Sequence, residues 1–277
     1  MSLDVRDFWN FDDPSASEVQ FSNLLKEGNL THEESLEVMA QIARTHSLRG
    51  NCEKCHEILD EKWEEAMTAG SRPKASFELE RGRAFRTRRD LEKALRFFEM
   101  AANSEADDLK VDALHMLAID AGPEESRRIH EEAIGFAQAS PNPMAQRWQG
   151  TLNNNLGWSY FGENKFERAL ICFQNALTQR EICGQSDPIR IAKWCVARCH
   201  RALGNLDLAM SIQSSIEGPD ASGYVYEELG EIILAQGKSD EAKPYFRKAV
   251  EMLVDELGPE SDRIVRLKSL SVTSTNG

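Results

Sequence analysis

One spacing recurs along this chain, and it leaves few folds open. In LNNNLGWSYFGENKFERALICFQNAL, counting from Gly157, Tyr160 stands at +3, Ala169 at +12, Phe173 at +16 and Ala176 at +19. The same offsets from Gly230 give Ile233, Ala242, Phe246 and Ala249; from Gly82 they give Phe85, Ala94, Phe98 and Ala101. Weaker copies fill the gaps. Ala43 leads to His46, Cys55, Leu59 and Lys62; Ala197 leads to His200, Ala209, Gln213 and Ile216. The most degenerate copy runs from Leu114 through Leu117, Ser126 and His130 to Ala133.

The apolar positions lie at helical spacing, and no stretch alternates in the manner of strands. At +7, four copies carry Gly50, Asn164, Gly204 or Gly237, residues that tolerate the left-handed conformation ending a helix. Each unit therefore reads as helix, tight turn, antiparallel helix. A small residue at the origin and another at +12 let the two helices approach closely. The +3 and +16 side chains then fill the space beside that contact.

The +12 residues, Cys55, Ala94, Ser126, Ala169, Ala209 and Ala242, are separated by 39, 32, 43, 40 and 33 positions. Extra residues around 65–73, 103–107, 139–146 and 181–187 absorb the excess over a shorter unit. The order 39, 32 returns as 40, 33, and IARTHSLRGN echoes VARCHRALGN, which suggests a duplicated block of three repeats.

Leu156-Gly157-x2-Tyr160…Ala169-x3-Phe173 resembles the tetratricopeptide repeat family, with Asn153 where that pattern has Trp. The resemblance spans roughly residues 33–256. It implies an all-α, right-handed superhelical α-solenoid of about six helix pairs. Capping helices are expected at both ends. Residues 1–30 supply an aromatic segment (Phe8, Trp9, Phe11) and a helix between the Asp13-Pro14 start and Gly28. Residues 259–270 supply a last amphipathic helix, and 271–277 read as a disordered tail.

Charge narrows the partner. Lys and Arg number 33 against 46 Asp and Glu, a net charge of −13, the wrong sign for a protein that works on nucleic-acid phosphates. No apolar run is long enough to span a membrane. The start MSLDVRDFWNFDD lacks the features of a secretory signal, so a cytoplasmic location is expected. Six cysteines in 277 residues are too few for a disulfide scaffold.

Cys52-Glu53-Lys54-Cys55-His56 has the C-x-x-C-H form of a haem-attachment sequence, yet Cys52 and Cys55 fall on the apolar +9 and small +12 packing slots. Cys195 and Cys199 share a helix face beside His200, and a metal would require two further convergent ligands. No cofactor or metal is expected. No phosphate loop, G-x-S-x-G or H-E-x-x-H motif is present, so no catalysis is expected.

The family resemblance implies that the first helix of each pair lines a concave, peptide-binding surface. The positions facing it are three before, two before and one after the origin. They are Gln41 and Arg44, Glu80 and Arg83, Asp112 and His115; then Asn154, Asn155 and Trp158; Trp194 and Arg198; and Glu227, Glu228 and Glu231. Arg44, Arg83 and Arg198 occupy one slot, and guanidinium suits either a ligand's acidic group or a carboxylate on the next helix. Asn155 matches the asparagine of family members that clamp a C-terminal carboxylate, but the clamp's lysines are not at their places.

The sequence thus leads to a non-catalytic interaction module or adaptor. Its partner would be a protein or peptide, held by asparagines along its backbone and by arginines at an acidic group. Glu227 and Glu231 would favour opposite charge at the partner's other end. The alternatives are a thiol- or metal-dependent sensor built on Cys-x-x-Cys-His and a self-associating structural subunit.

Overall fold

A computed structural model describes residues 4–184 and 186–272. Among them there are helices and no strands. The helices are α1 (Pro14–Glu27), α2 (His32–Leu48), α3 (Cys52–Glu61), α4 (Trp63–Ala69), α5 (Ser71–Thr87), α6 (Leu91–Ala102), α7 (Asp107–Asp120), α8 (Pro123–Ala139), α9 (Pro143–Gln146), α10 (Gln149–Gly162), α11 (Phe166–Cys183), α12 (Ser186–Ala202), α13 (Leu206–Ser214), α14 (Gly223–Ala235), α15 (Ser239–Leu257) and α16 (Asp262–Ser271). A short 3-10 turn, Val5–Phe8, precedes them.

Six of these helices start nine residues after a repeat origin: Cys52, Leu91, Pro123, Phe166, Leu206 and Ser239 open α3, α6, α8, α11, α13 and α15. The turn chemistry explains the constancy. In five copies the +8 N–H donates to the +3 carbonyl, as Asn51 to His46, Asp90 to Phe85, Lys165 to Tyr160, Asn205 to His200 and Lys238 to Ile233. This six-to-one bond closes the first helix around a left-handed residue. Gly50, Gly204 and Gly237 have φ near 80°, Asn164 has 58°, and Arg89, without a glycine's freedom, takes 63°. The third copy turns differently, through extended backbone at Ala121, into Pro123 at the first position of α8.

The close approach is equally specific. A Cβ placed on Gly82 would lie 2.5 Å from the Phe98 ring, on Gly157 2.6 Å from Phe173, and on Gly230 2.8 Å from Phe246. The origin glycine is thus the seat of the +16 phenylalanine. Where the origin carries a side chain, +16 holds no aromatic benzene ring. Ala43 faces the copy with Leu59, Ala197 the copy with buried Gln213, and Leu114 the copy with buried His130. The two polar substitutes find backbone partners, Gln213 Nε2–H on Val225 O (3.0 Å) and His130 Nδ1–H on Ser126 O (2.8 Å).

The chain divides into two compact units, residues 1–149 and 150–277, each holding three pairs. In the first unit α5 packs against both α2 and α7; in the second α12 packs against α14. First helices of successive pairs are therefore neighbours, as in an α-solenoid. Extra residues between copies are taken up by α4 after α3, by α9 after α8 and by the lengthening of α11 to Cys183.

The terminal elements follow local signals. Asp13 caps α1 by accepting the Ala16 N–H, and Gly28 ends it at φ 70°. In α16, Ser261 accepts from Ile264 N–H, and Ile264 and Leu267 are buried against the last pair. Ser271 still belongs to α16; of the remaining tail, residues 273–277 lie outside the described residues.

Candidate functional site

In the first unit the groove positions form one charged ladder. Arg83, on α5, donates to Glu80 one turn earlier (2.5 Å) and to Asp112 on α7. Arg44, on α2, lies 3.8 Å from the same Glu80. Glu80 and Asp112 are both buried, so these charges are removed from water and depend on one another. Arg86 continues the ladder to Asp120 (2.8 Å). At the opposite ends of the same helices Arg72 bridges Glu37 (2.7 Å) and Asp108 (2.8 Å). These arginines act as cross-braces between first helices.

His115 ends this row, half-buried, with its ring 5.4 Å from Trp148 and 6.0 Å from His130. Its Nδ1 is sealed without a hydrogen-bond partner. Burial is the largest cause pushing its pKa down, to about 4, and Asp112 opposes the shift.

Arg44 differs from Arg83. Its Nε has no hydrogen-bond partner, and burial together with the charge of Arg83 pushes its pKa down. What covers it is the leading segment. The guanidinium lies 5.2 Å from the Trp9 ring and 5.3 Å from Phe11, which stack on each other at 4.8 Å with planes 1° apart. Trp9 Nε1–H donates to Gln41 (3.0 Å). Phe8 and Trp9 also reach Phe21 of α1. The aromatic segment therefore covers Gln41 and Arg44, two positions the sequence assigned to the groove face, as well as the end of the first core.

In the second unit Arg198 occupies the same slot, among rings from its own helices. It lies 5.2 Å from Trp194, 5.8 Å from Trp158 and 5.7 Å from Phe161. Its nearest carboxylate, Glu228, is 4.0 Å away, and its Nε has no partner. Asn154 and Asn155 stand beside one another, Asn154 Nδ2–H reaching Asn155 Oδ1 at 3.4 Å. Trp194 Nε1–H is tied to Tyr224 O (3.1 Å), which fixes the indole. A pocket of about 530 Å3 opens beside it, lined by Arg190, Ile191, Trp194, Tyr224 and Arg263 among others.

The acidic positions of this unit are matched from within. Glu227 receives three bonds from Arg263, Glu231 pairs with Arg266, and Glu228 is gripped by Arg201 through both oxygens. Burial nonetheless raises the Glu228 pKa against the pull of Arg201. Sequence reasoning did not single out Arg263 and Arg266. Their three-residue spacing on the last helix, facing a Glu227/Glu231 pair four apart, is the signal that would have found them.

The cysteines flagged by C-x-x-C-H are core residues. Cys52 and Cys55 are buried, and burial raises both thiol pKa values. Cys195 and Cys199 are buried too and pushed up to about 12 by desolvation. That is the reverse of the lowered pKa an active thiolate needs. His56 is turned away onto Phe85, ring centroids 4.7 Å apart.

Against known proteins, a sequence model of the tetratricopeptide repeat matches residues 223–252, the last helix pair. No curated protein matches the chain. Among solved structures, the apo form of RapI is 13% identical, with 96% of this chain and 82% of that one covered at a TM-score of 0.58. A tetratricopeptide repeat protein from Parabacteroides merdae is 14% identical, covering 97% and 96% at 0.50. MamA is 19% identical over 68% of this chain and 96% of its own, at 0.49. With six helix pairs of one spacing, origin glycines under +16 phenylalanines in three of them, and a repeat recognised in the last pair, the chain has the fold of tetratricopeptide-repeat α-solenoids and carries a repeat of that family at residues 223–252.

Proposed function

We propose that the chain is a non-catalytic interaction module that binds a peptide segment of a protein partner on its groove face, with the second unit as the open site. The observation that supports this is Arg198. It is a guanidinium bordered by Trp158, Phe161 and Trp194 and 4.0 Å from the Glu228 carboxylate; Trp194 also lines a pocket of about 530 Å3, and Asn154 of α10 meets Cys195 of α12. Asn154 and Asn155 offer donors and acceptors to an extended backbone. Arg198 offers its outer edge to an acidic group, and the space beside Trp194 takes an apolar side chain. In the first unit Arg83 serves the fold, because both of its carboxylates come from the same array.

The test is capture of partners from native lysate with the wild-type chain and with Arg198→Ala, followed by affinity measurement against salt for whichever partner is enriched. Arg198→Ala should weaken binding at least ten-fold and flatten its salt dependence. Equal affinity in a folded Arg198→Ala chain would remove the groove reading.

A further inference from the structure

In the second unit the array itself supplies rings around the arginine of the groove slot. In the first unit no ring of the repeat helices lies over Arg44 among the described contacts. Trp9 and Phe11 supply them instead, from outside the repeats. A segment that merely sealed an apolar end would set its aromatics on apolar side chains, as Val5 and Phe8 are set near Phe21. Trp9 goes further: it spends its one polar donor on Gln41 and, with Phe11, lies against a guanidinium.

At its other end the segment is anchored by charge. Asp4 accepts from Arg147, which follows α9, 3.1 Å away. Residues 4–11 thus reach from the first helix pair to the end of the third. The backbone bonds of the segment run within itself and to α1: Asp7 N–H to Asp4 O, Trp9 N–H to Arg6 O, and Asn10 N–H to Ser17 Oγ (2.7 Å). Phe11 is 57% exposed, and Arg147 is 55% exposed at its side chain.

We infer that the groove face of the first unit is a docking site for a peptide carrying a carboxylate five residues ahead of an aromatic-x-aromatic pair, and that Asp4–Phe11 is its resident occupant, displaced by partners of that pattern. The inference rests on the groove reading for the placement of Gln41 and Arg44, but it concerns a different face from Arg198. Charge and ring chemistry fit each other: acid to Arg147, indole N–H to Gln41, and stacked rings to a half-buried guanidinium whose paired carboxylate, Glu80, stands 3.8 Å off.

The experiment uses the full chain and a fluorescein-labelled peptide of residues 4–12, read by anisotropy. Trp9→Ala with Phe11→Ala should bind the peptide at least ten-fold more tightly than the wild type. Adding Arg44→Ala should abolish that gain, and a peptide with Asp4→Asn should bind several-fold more weakly. Phe11→Ala alone leaves Trp9 on Phe21 and should show part of the gain, which keeps the test intact should the double variant not fold. Equal binding to the wild type and the folded variants, or a gain indifferent to Arg44, overturns the inference. So does a dimer in light scattering that Trp9→Ala dissolves, because the occupant would then come from a second copy. The gain over the wild type should depend on Arg44 and be the same size in chains with and without Arg198, so a failure of the second-unit site and a failure of this one are read separately.

Discussion

The same slot, one residue after the repeat origin, carries arginine in both units, and the two units treat it differently. Arg83 is locked between Glu80 and Asp112, both buried, and ties α5 to α7. Arg198 keeps one distant carboxylate and three ring neighbours. A guanidinium met by carboxylates from two helices is a structural brace; one bordered by π-faces, with its Nε unpartnered, leaves hydrogen-bond donors unused. Residue type and repeat position were identical, so the difference lies in what the neighbouring helices bring.

That contrast sets the largest expected effect. Arg83→Ala should cost about 3 kcal/mol, because it strands two buried carboxylates. Arg198→Ala should cost under about 1 kcal/mol, since its ion pair is long and its side chain is 27% exposed. Urea unfolding of both variants checks this. Comparable losses would erase the distinction between brace and binding group.

The second test asks what the units share. Gly82→Ala should cost about 1–3 kcal/mol by driving a methyl into the Phe98 ring, with Gly157→Ala and Gly230→Ala following in order of their contacts at 2.5, 2.6 and 2.8 Å. Phe98→Leu should restore part of the loss in the Gly82→Ala background, as the Ala43 copy already pairs alanine with Leu59. An additive double variant would show that the glycine and ring do not act as a pair.

Acid should weaken the first unit through His115. Its folded pKa, about 4, lies below the ordinary histidine value, so between pH 6.5 and 4 the unfolded chain binds the proton first. Stability attributable to His115 is therefore complete above that window and falls as pH drops through it, by about 3 kcal/mol in all. Denaturation of the wild type and His115→Gln at pH 7 and pH 5 should show the smaller pH dependence in the variant.

The smallest effect is a gain. Arg89→Gly should add about 0.5–1 kcal/mol by removing a side chain from left-handed backbone, net of glycine's greater freedom when unfolded. Gly204→Arg in the corresponding slot of the second unit should lose a similar amount; thermal melts of the two variants compare them.

These cases also separate what was legible in the sequence from what was not. The helix–turn–helix unit could be read because its constraints are local: Gly157 beneath Phe173 and a left-handed Asn164 each require a particular residue at a particular offset. Arg89 escaped because its conformation is imposed by the turn on a residue that does not prefer it. The groove roles were less legible for a different reason. Whether Arg44, Arg83 and Arg198 are satisfied depends on Trp9, Asp112 and Glu228, which lie 35, 29 and 30 residues away in sequence. The repeat places the slot, and distant parts of the chain decide its chemistry.

The thiols offer a practical consequence. Cys183 is exposed at the end of α11, whereas Cys52, Cys55, Cys172, Cys195 and Cys199 are buried. A maleimide at neutral pH should modify one position in the intact chain and mark the second unit with a single dye. The five others react only as their helices open, so the rate at which each is blocked times the breathing of its own repeat.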